Sequence, residues 1–403
     1  MQVGGAGDSL ARRKVLVVIA EDWFALSHFG PLVSELAALG DDVVVATRSS
    51  GRLHEIEVLG ARTRPFDFSR GSLNVSRLLQ VRSGLGRLIE DERPDVVHAI
   101  AMQTMVMTSL ALATSKHRPS AVVLHLTGLG YLGQSRSPIA SVLRPLAHAA
   151  LRHCMMTQST WLMAENSDDL AALAAAGSVP SRRTAIVPGA GVDPVLLPQL
   201  PLPVNATPRA AFIGRMLVSK GVHVLVEAHR LLRAQGVQVG LALYGDADPG
   251  SRQAITAATL SEWNGTPGVG WHGRTGDVVG VWAESDIAVV PAIGGDGMPR
   301  AMLEAAACGR PLVVSDVAGC RQFVRQGVEG FVVPPNDPRA LADAIARLAR
   351  DPELRARLGA AARRRVVSSY TIDAVREKYR QVYMGLSLPV PSMAAPVLAA
   401  ATA

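Results

Sequence analysis

Arg215 and Lys220 stand close together in the segment Gly214-Arg215-Met216-Leu217-Val218-Ser219-Lys220-Gly221. Residues 210–213 ahead of them read as a strand and those behind as a helix, which places the pair at a strand-to-helix turn. Free backbone N–H groups and the helix dipole favour an anion at such a turn. Arginine adds a planar fork, lysine a compact charge, and the two glycines let backbone approach a ligand closely. A diphosphate fits this pattern; the plainer alternative is a solvated helix start. Lysine occurs at only four positions (14, 116, 220 and 378) among 41 basic residues, so its use here points to a chemical requirement.

A second segment runs Pro291-Ala-Ile-Gly-Gly-Asp296-Gly297-Met298-Pro299-Arg300-Ala-Met-Leu-Glu304. A strand over 287–290 opens into a glycine-rich loop, and Pro299 starts a helix, where its missing N–H costs nothing. Asp296 precedes the helix and Glu304 lies inside it. Two carboxylates so placed can bind separate hydroxyl-bearing parts of one ligand. The N–H groups of Gly297, Met298 and Arg300 are expected to face whatever occupies the helix mouth. A capping aspartate and a solvated glutamate would be the structural alternative, which the neighbouring arginine–lysine turn argues against.

Two further patterns carry less. Gly128-Leu-Gly130-Tyr-Leu-Gly133 has dinucleotide-loop spacing, yet the next acidic residue is Glu165, too far on to hold a ribose, which argues against hydride transfer. Asp246-Ala-Asp248 imitates a metal-binding pair but directly follows a strand, where Gly and Asp make turns and caps.

Such turns need parallel sheets to hold them. Apolar runs at 14–20, 42–47, 95–98, 121–126 and 184–187 alternate with helix-length segments such as 26–39, and the pattern restarts at 210–213, 238–244, 286–290 and 311–315. Near-continuous apolar strands of this kind are buried on both faces. A Pro-rich, charge-free stretch at 194–208 interrupts them. The expected architecture is α/β, two Rossmann-like doubly wound parallel-sheet domains facing a cleft, with ligands beyond the carboxyl ends of the strands. The expected divisions are a tail at 1–13, a first domain at 14–196, a linker at 197–208 and a second domain at 209–369. A helix at 370–387 is expected to pack back on the first domain, with a disordered tail at 388–403.

Hydrophobic residues make up 48% of the chain and charged residues 19%, which excludes a largely disordered protein. Three dispersed cysteines give neither a disulfide framework nor zinc-ligand spacing, and suit a reducing cytoplasm. No apolar run is long enough to span a bilayer. The formal charge is +7, and residues 96–164 contain no acid while carrying Lys116, Arg118, Arg136, Arg144 and Arg152 with His117, His148 and His153 among others. That stretch reads either as a face for an anionic membrane or as core with a few solvated basic residues. The basic excess at 339–380 reads as solvated helix surface. Only 4% of residues are aromatic and no nucleic-acid motif is present, so nucleic acid is excluded as a partner.

The strings GRMLVSKG, YGDAD, DGMPRAMLEAAACGRP and SDVAGCRQFVRQGVEGFVVPPNDPRALADAI resemble the nucleotide-sugar domain of GT-B glycosyltransferases of the retaining family 4. In the first half, EDWFALSHFGPLVSEL, DVVHAIAMQ, HLTGLGYLG and IVPGAGVD are similar to the subgroup that builds capsules, exopolysaccharides and other lipid-linked bacterial glycans. The resemblance spans about 14–383. It implies that Arg215 and Lys220 hold the donor diphosphate and that Glu304 binds the ribose. Asp296, where glutamate is usual, meets the sugar ring. His272 to Arg274 read the uracil edge, Thr127 and Gly128 face the transferred sugar, and Ser27 and His28 line the cleft on the acceptor side, with His28 a candidate proton acceptor. Glu165 and Asn166 match the cleft floor. The implied reaction is retaining and metal-independent transfer from a UDP-sugar to a polyprenyl-diphosphate-linked saccharide, without a cofactor, at the inner face of the plasma membrane. A soluble acceptor and a non-catalytic nucleotide-sugar-binding protein remain the alternatives.

Overall fold

The structure is a computed structural model describing residues 12–68, 74–128, 138–175, 183–248, 250–251, 253–295 and 297–386, with side chains omitted at 138–142. The expected tail at 388–403, the glycines of the dinucleotide-like loop beyond Gly128, and Asp296 lie outside the described residues.

Two parallel sheets are present. The first contains β1 (Lys14–Glu21), β2 (Asp42–Arg48), β3 (Arg62–Pro65), β4 (Val96–Ile100), β5 (Ala121–Leu126), β6 (Thr160–Ala164) and β7 (Thr184–Ile186), in the order β3-β2-β1-β4-β5-β6-β7. The second contains β8 (Arg209–Ile213), β9 (Gly240–Tyr244), β10 (Val269–Trp271), β11 (Ile287–Val290), β12 (Leu312–Ser315) and β13 (Gly330–Val333), in the order β10-β9-β8-β11-β12-β13. β3, β6, β10 and β13 were not anticipated from the sequence. Three of them are sheet edges: β3 and β10 are mostly half-buried or exposed, and β13, though apolar and largely buried, is only four residues long. β6 follows the helix Pro138–Thr157 after only Gln158 and Ser159, too short a gap to separate it from the helix in the sequence.

The β1 sequence shows why the strands read as unbroken hydrophobic runs. Its alternate residues point to opposite faces. Leu16 and Val18 join a core with the helices Val75–Glu92, Met102–Leu112 and Pro138–Thr157, while Val15, Val17 and Ile19 join one with the helix Asp22–Ala38. Both sets are buried.

That second face is completed from the far end of the chain. The helix Ile372–Gly385, capped by Thr371 Oγ1 on the Ala374 N–H (3.2 Å), contributes Val375, Tyr379, Val382 and Tyr383 to the first domain's core. The chain therefore crosses between domains twice. The crossings lie side by side: Val192 N–H donates to Tyr370 O (3.0 Å) and Ile372 N–H to Val192 O (3.0 Å). Beyond the first crossing, the Pro-rich segment is strapped to the second domain. Arg310 donates to Leu200 O (2.5 Å) and Pro201 O (2.7 Å), and Arg363 to Leu197 O (2.5 Å) and Pro194 O (3.1 Å).

A buried polar chain marks where the last helix docks. Tyr383 Oη bonds His98 Nδ1 (2.8 Å), and His98 Nε2 lies 3.3 Å from His125 Nδ1. Tyr379 packs edge-on against the His125 ring. Burial holds His125 neutral, its pKa lowered to about 3, and lowers that of His98 as well. The unfolded chain protonates both below about pH 6.5 while the fold does not, so stability falls as pH falls below that value. Each histidine contributes up to about 1.4 kcal/mol per pH unit. Melting temperatures between pH 8 and 5 should therefore decline, and less steeply in His125→Gln; equal slopes would assign the acid sensitivity elsewhere.

Candidate active site

The basic turn leaves β8 at the carboxyl edge of the second sheet. Residues 218–220 form one 3-10 turn, and Gly221 follows at φ +69° before the helix Val222–Ala234 begins. A side chain at 221 would place Cβ 1.8 Å from Pro291 O, and Ile293 N–H donates to Ser219 O (2.8 Å). These contacts press the Lys220 turn against the loop leaving β11, the neighbouring strand, so the two segments singled out in the sequence share one wall. Arg215, 41% exposed along its side chain, donates to Asp248 Oδ2 (3.0 Å). Asp246 Oδ1 accepts from the Arg274 N–H (3.0 Å), so both aspartates of the metal-like pair are engaged by arginines. His272 stacks on Tyr244 with ring centroids 4.7 Å apart, and Gly245 N–H donates to Gly273 O (2.7 Å). The exits of β9 and β10 thus continue the wall begun by β8, and Gly214 joins it through a bond from its N–H to Tyr244 O (2.9 Å).

The carboxylate helix runs Arg300–Ala307, with Pro299 as its cap and one residue later than expected. Glu304 is buried to 9% exposure and accepts from Arg300 Nε (2.7 Å) one turn back. Arg300 also donates to Ser27 O in the first domain. Ser27 Oγ bonds His28 Nδ1 (2.7 Å), and the His28 ring lies against Phe24. Gly297 N–H donates to Thr127 O (3.1 Å), Asn166 Nδ2 to Gly297 O (3.1 Å), and Met298 N–H to Glu165 Oε2 (2.6 Å). The amides of Gly297 and Met298, expected to face the helix mouth, thus bond to the opposite domain. Gly128 follows Thr127 at the end of β5. The first domain's candidates sit beyond the carboxyl ends of β1, β5 and β6, facing those of the second.

Residues 27–190 match the family model of the glycosyl transferase 4-like domain, and residues 207–351 that of glycosyl transferases group 1. The structure superimposes on Anabaena HepE in complex with UDP and glucose at a TM-score of 0.73 and 18% identity, over 94% of this chain and 100% of that one. It also matches a sucrose-phosphate synthase of Thermosynechococcus elongatus at a TM-score of 0.74 and 20% identity, over 93% and 99%. The chain is a GT-B glycosyltransferase. Among curated relatives, a glycogen synthase of Mycobacterium tuberculosis is 28% identical over 89% of this chain and 90% of its own. The N,N'-diacetylbacillosaminyl-diphospho-undecaprenol alpha-1,3-N-acetylgalactosaminyltransferase of Campylobacter jejuni is 22% identical over 89% and 95%.

Three features of the candidate site escaped the sequence reading. Asp248 as a counter-ion of Arg215 was hidden because the pair meets across two strands, 33 residues apart. The Arg300 bridge to Ser27 joins residues 273 positions apart. The Glu165 bond to Met298 likewise crosses the domains: the sequence put Glu165 at the cleft floor but carried no sign of its partner.

Proposed function

We propose that this glycosyltransferase transfers a hexose or N-acetylhexosamine, with retention, from a UDP-sugar to a polyprenyl-diphosphate-linked saccharide in bacterial glycan synthesis. The observation that carries the reading is the arginine–lysine turn packed against the loop that enters the Glu304 helix. In this reading Arg215 and Lys220 hold the diphosphate, which competes with Asp248 for the Arg215 guanidinium. Both then neutralise charge on the departing UDP, an electrostatic role that needs no metal. Glu304 takes the ribose hydroxyls, the turn at His272–Arg274 takes the base, and Asp296 meets the sugar. The acceptor hydroxyl attacks from the side the nucleotide leaves and passes its proton to the β-phosphate oxygen. Thr127, Gly128, Ser27 and His28 line the sugar and acceptor side, with closure of the domains excluding water.

A lipid-linked acceptor agrees with the helix Pro138–Thr157. His148, Arg152, His153, Pro145, Ala149 and Met156 line a surface groove of about 520 Å³, and Leu146 and Met156 are exposed beside them. Basic and apolar groups together suit an anionic lipid surface, on the cytoplasmic face of the plasma membrane. Among the described residues, no helix is long and apolar enough to cross a membrane. The likeness to a glycogen synthase favours a second reading, a polysaccharide acceptor without a lipid.

The deciding experiment offers UDP-glucose, UDP-galactose, UDP-GlcNAc, UDP-GalNAc and GDP-mannose to the enzyme with a membrane-lipid extract or with glycogen, with and without EDTA. The expected result is a hexosylated lipid from one UDP-sugar, undiminished by EDTA. Product on glycogen alone supports the second reading. A strict divalent-metal requirement contradicts the proposed role of Arg215 and Lys220, and UDP binding without turnover on either acceptor marks a non-catalytic protein.

A further inference from the structure

Three hydrogen bonds from the first domain fix the Gly297–Met298 backbone, and they differ in kind. Thr127 offers a carbonyl and Asn166 a neutral amide, whereas Glu165 offers a carboxylate. Its bond to the Met298 N–H, at 2.6 Å, has the short length of a charge-assisted hydrogen bond, a class about twice as strong as a neutral one. Glu165 is 4% exposed and directly follows β6, so a rigid element of the first domain delivers it. Burying a carboxylate is costly unless its partners are fixed in place. The loop is shaped to admit it: a Cβ at Gly297 would lie 2.2 Å from Glu165 Oε2. The same loop is tied at its other end, because Arg300 reaches Ser27 O. Between these ties lies the entry to the Glu304 helix.

We propose that Glu165 is a positioning residue that sets, from the acceptor-side domain, the loop meeting the donor sugar. This inference rests on the donor reading above. Asp296 is next in the chain to Gly297, so a shift of the Met298 peptide moves the contact proposed for the donor sugar, while Glu304, more than a turn further into the helix, keeps its hold on the ribose. The loop takes its working position only when the two domains stand in this arrangement. Recognition of the sugar, as distinct from the nucleotide, is thereby tied to domain closure.

The test compares Glu165→Ala and Glu165→Gln with the wild-type full chain. In the ligand-free protein, hydrogen–deuterium exchange at the Met298 amide should accelerate about tenfold or more in Glu165→Ala and less in Glu165→Gln, whose amide oxygen still accepts. KM for the UDP-sugar should rise about tenfold in Glu165→Ala and about threefold in Glu165→Gln, while the Kd for UDP stays within about twofold of wild type. Unchanged exchange in both variants overturns the proposal. So does a loss of UDP affinity equal to the rise in KM, which would indicate collapse of the whole site. Glu165→Gln keeps the shape of the side chain and carries the test where Glu165→Ala does not fold. A wild-type protein that binds no UDP would instead defeat the donor reading, and the exchange measurement still decides whether Glu165 sets the loop.

Discussion

Lys220→Ala is expected to lower kcat/KM for sugar transfer by about 10²–10³-fold while leaving the melting temperature unchanged. Lys220 ends the 3-10 turn after β8 and is half-buried, outside the hydrophobic cores, so its truncation opens no cavity in them. Its position next to the β11 loop brings it to the face where Glu304 enters its helix. An ammonium aimed at a departing diphosphate stabilises charge that grows in the transition state, so its removal should depress kcat as well as binding. Arg215→Ala should produce a similar loss. Arg215→Lys should recover only part of it, because a lysine keeps the charge and loses the fork. Initial rates with the active UDP-sugar, measured alongside thermal unfolding, decide the matter. Near-normal rates in both alanine variants would sink the diphosphate assignment.

Arg310→Ala should destabilise the second domain by about 3–5 kcal/mol, the sum of carbonyls left without their donor, at about 1–3 kcal/mol for each buried group, and of the cavity opened. Arg310 is fully buried. Its guanidinium donates to Leu200 O (2.5 Å), Pro201 O (2.7 Å), Ser285 O (3.1 Å) and Cys308 O (3.1 Å), and burial lowers its pKa. Truncation removes the side-chain donor from the Leu200, Pro201 and Ser285 carbonyls, leaves Cys308 O only its bond from the Leu200 N–H, and opens a void under the strap between the domains. The melting temperature should fall by roughly 5–15 °C. Arg310→Lys should rescue little, since one ammonium cannot span carbonyls arranged around a planar group. A fall below about 1 kcal/mol would mean that the strap is held by its prolines and not by this side chain.

How the strands read in the sequence follows from where they lie. β5 was delimited over its full length, Ala121–Leu126, because all six residues are buried and the run is bounded by Ser120 and Thr127. β3, Arg-Thr-Arg-Pro, offers no hydrophobic signal: it is an edge strand whose arginines pair outward, Arg62 with Asp42 and Arg64 with Glu92. The helix start near Arg300 was legible from the Gly–Pro loop chemistry. Where its neighbouring amides would bond was not legible, because their partners, Thr127 and Glu165, lie at two strand ends more than 130 residues away.

The amino-acid order by itself determined the two parallel sheets, the turns beyond their strands, and the residue types offered at those turns. Each depends on local periodicity and backbone chemistry, which neighbouring residues carry. Only the tertiary structure decided which of those turns meet. It set Asp248 on Arg215, Arg300 on Ser27, and Glu165 on Met298, and it placed two tyrosines of the last helix beside the histidines of β4 and β5. Such contacts join groups far apart in the chain, and they arise from how two separately built lobes face one another. Local sequence carries no record of that orientation.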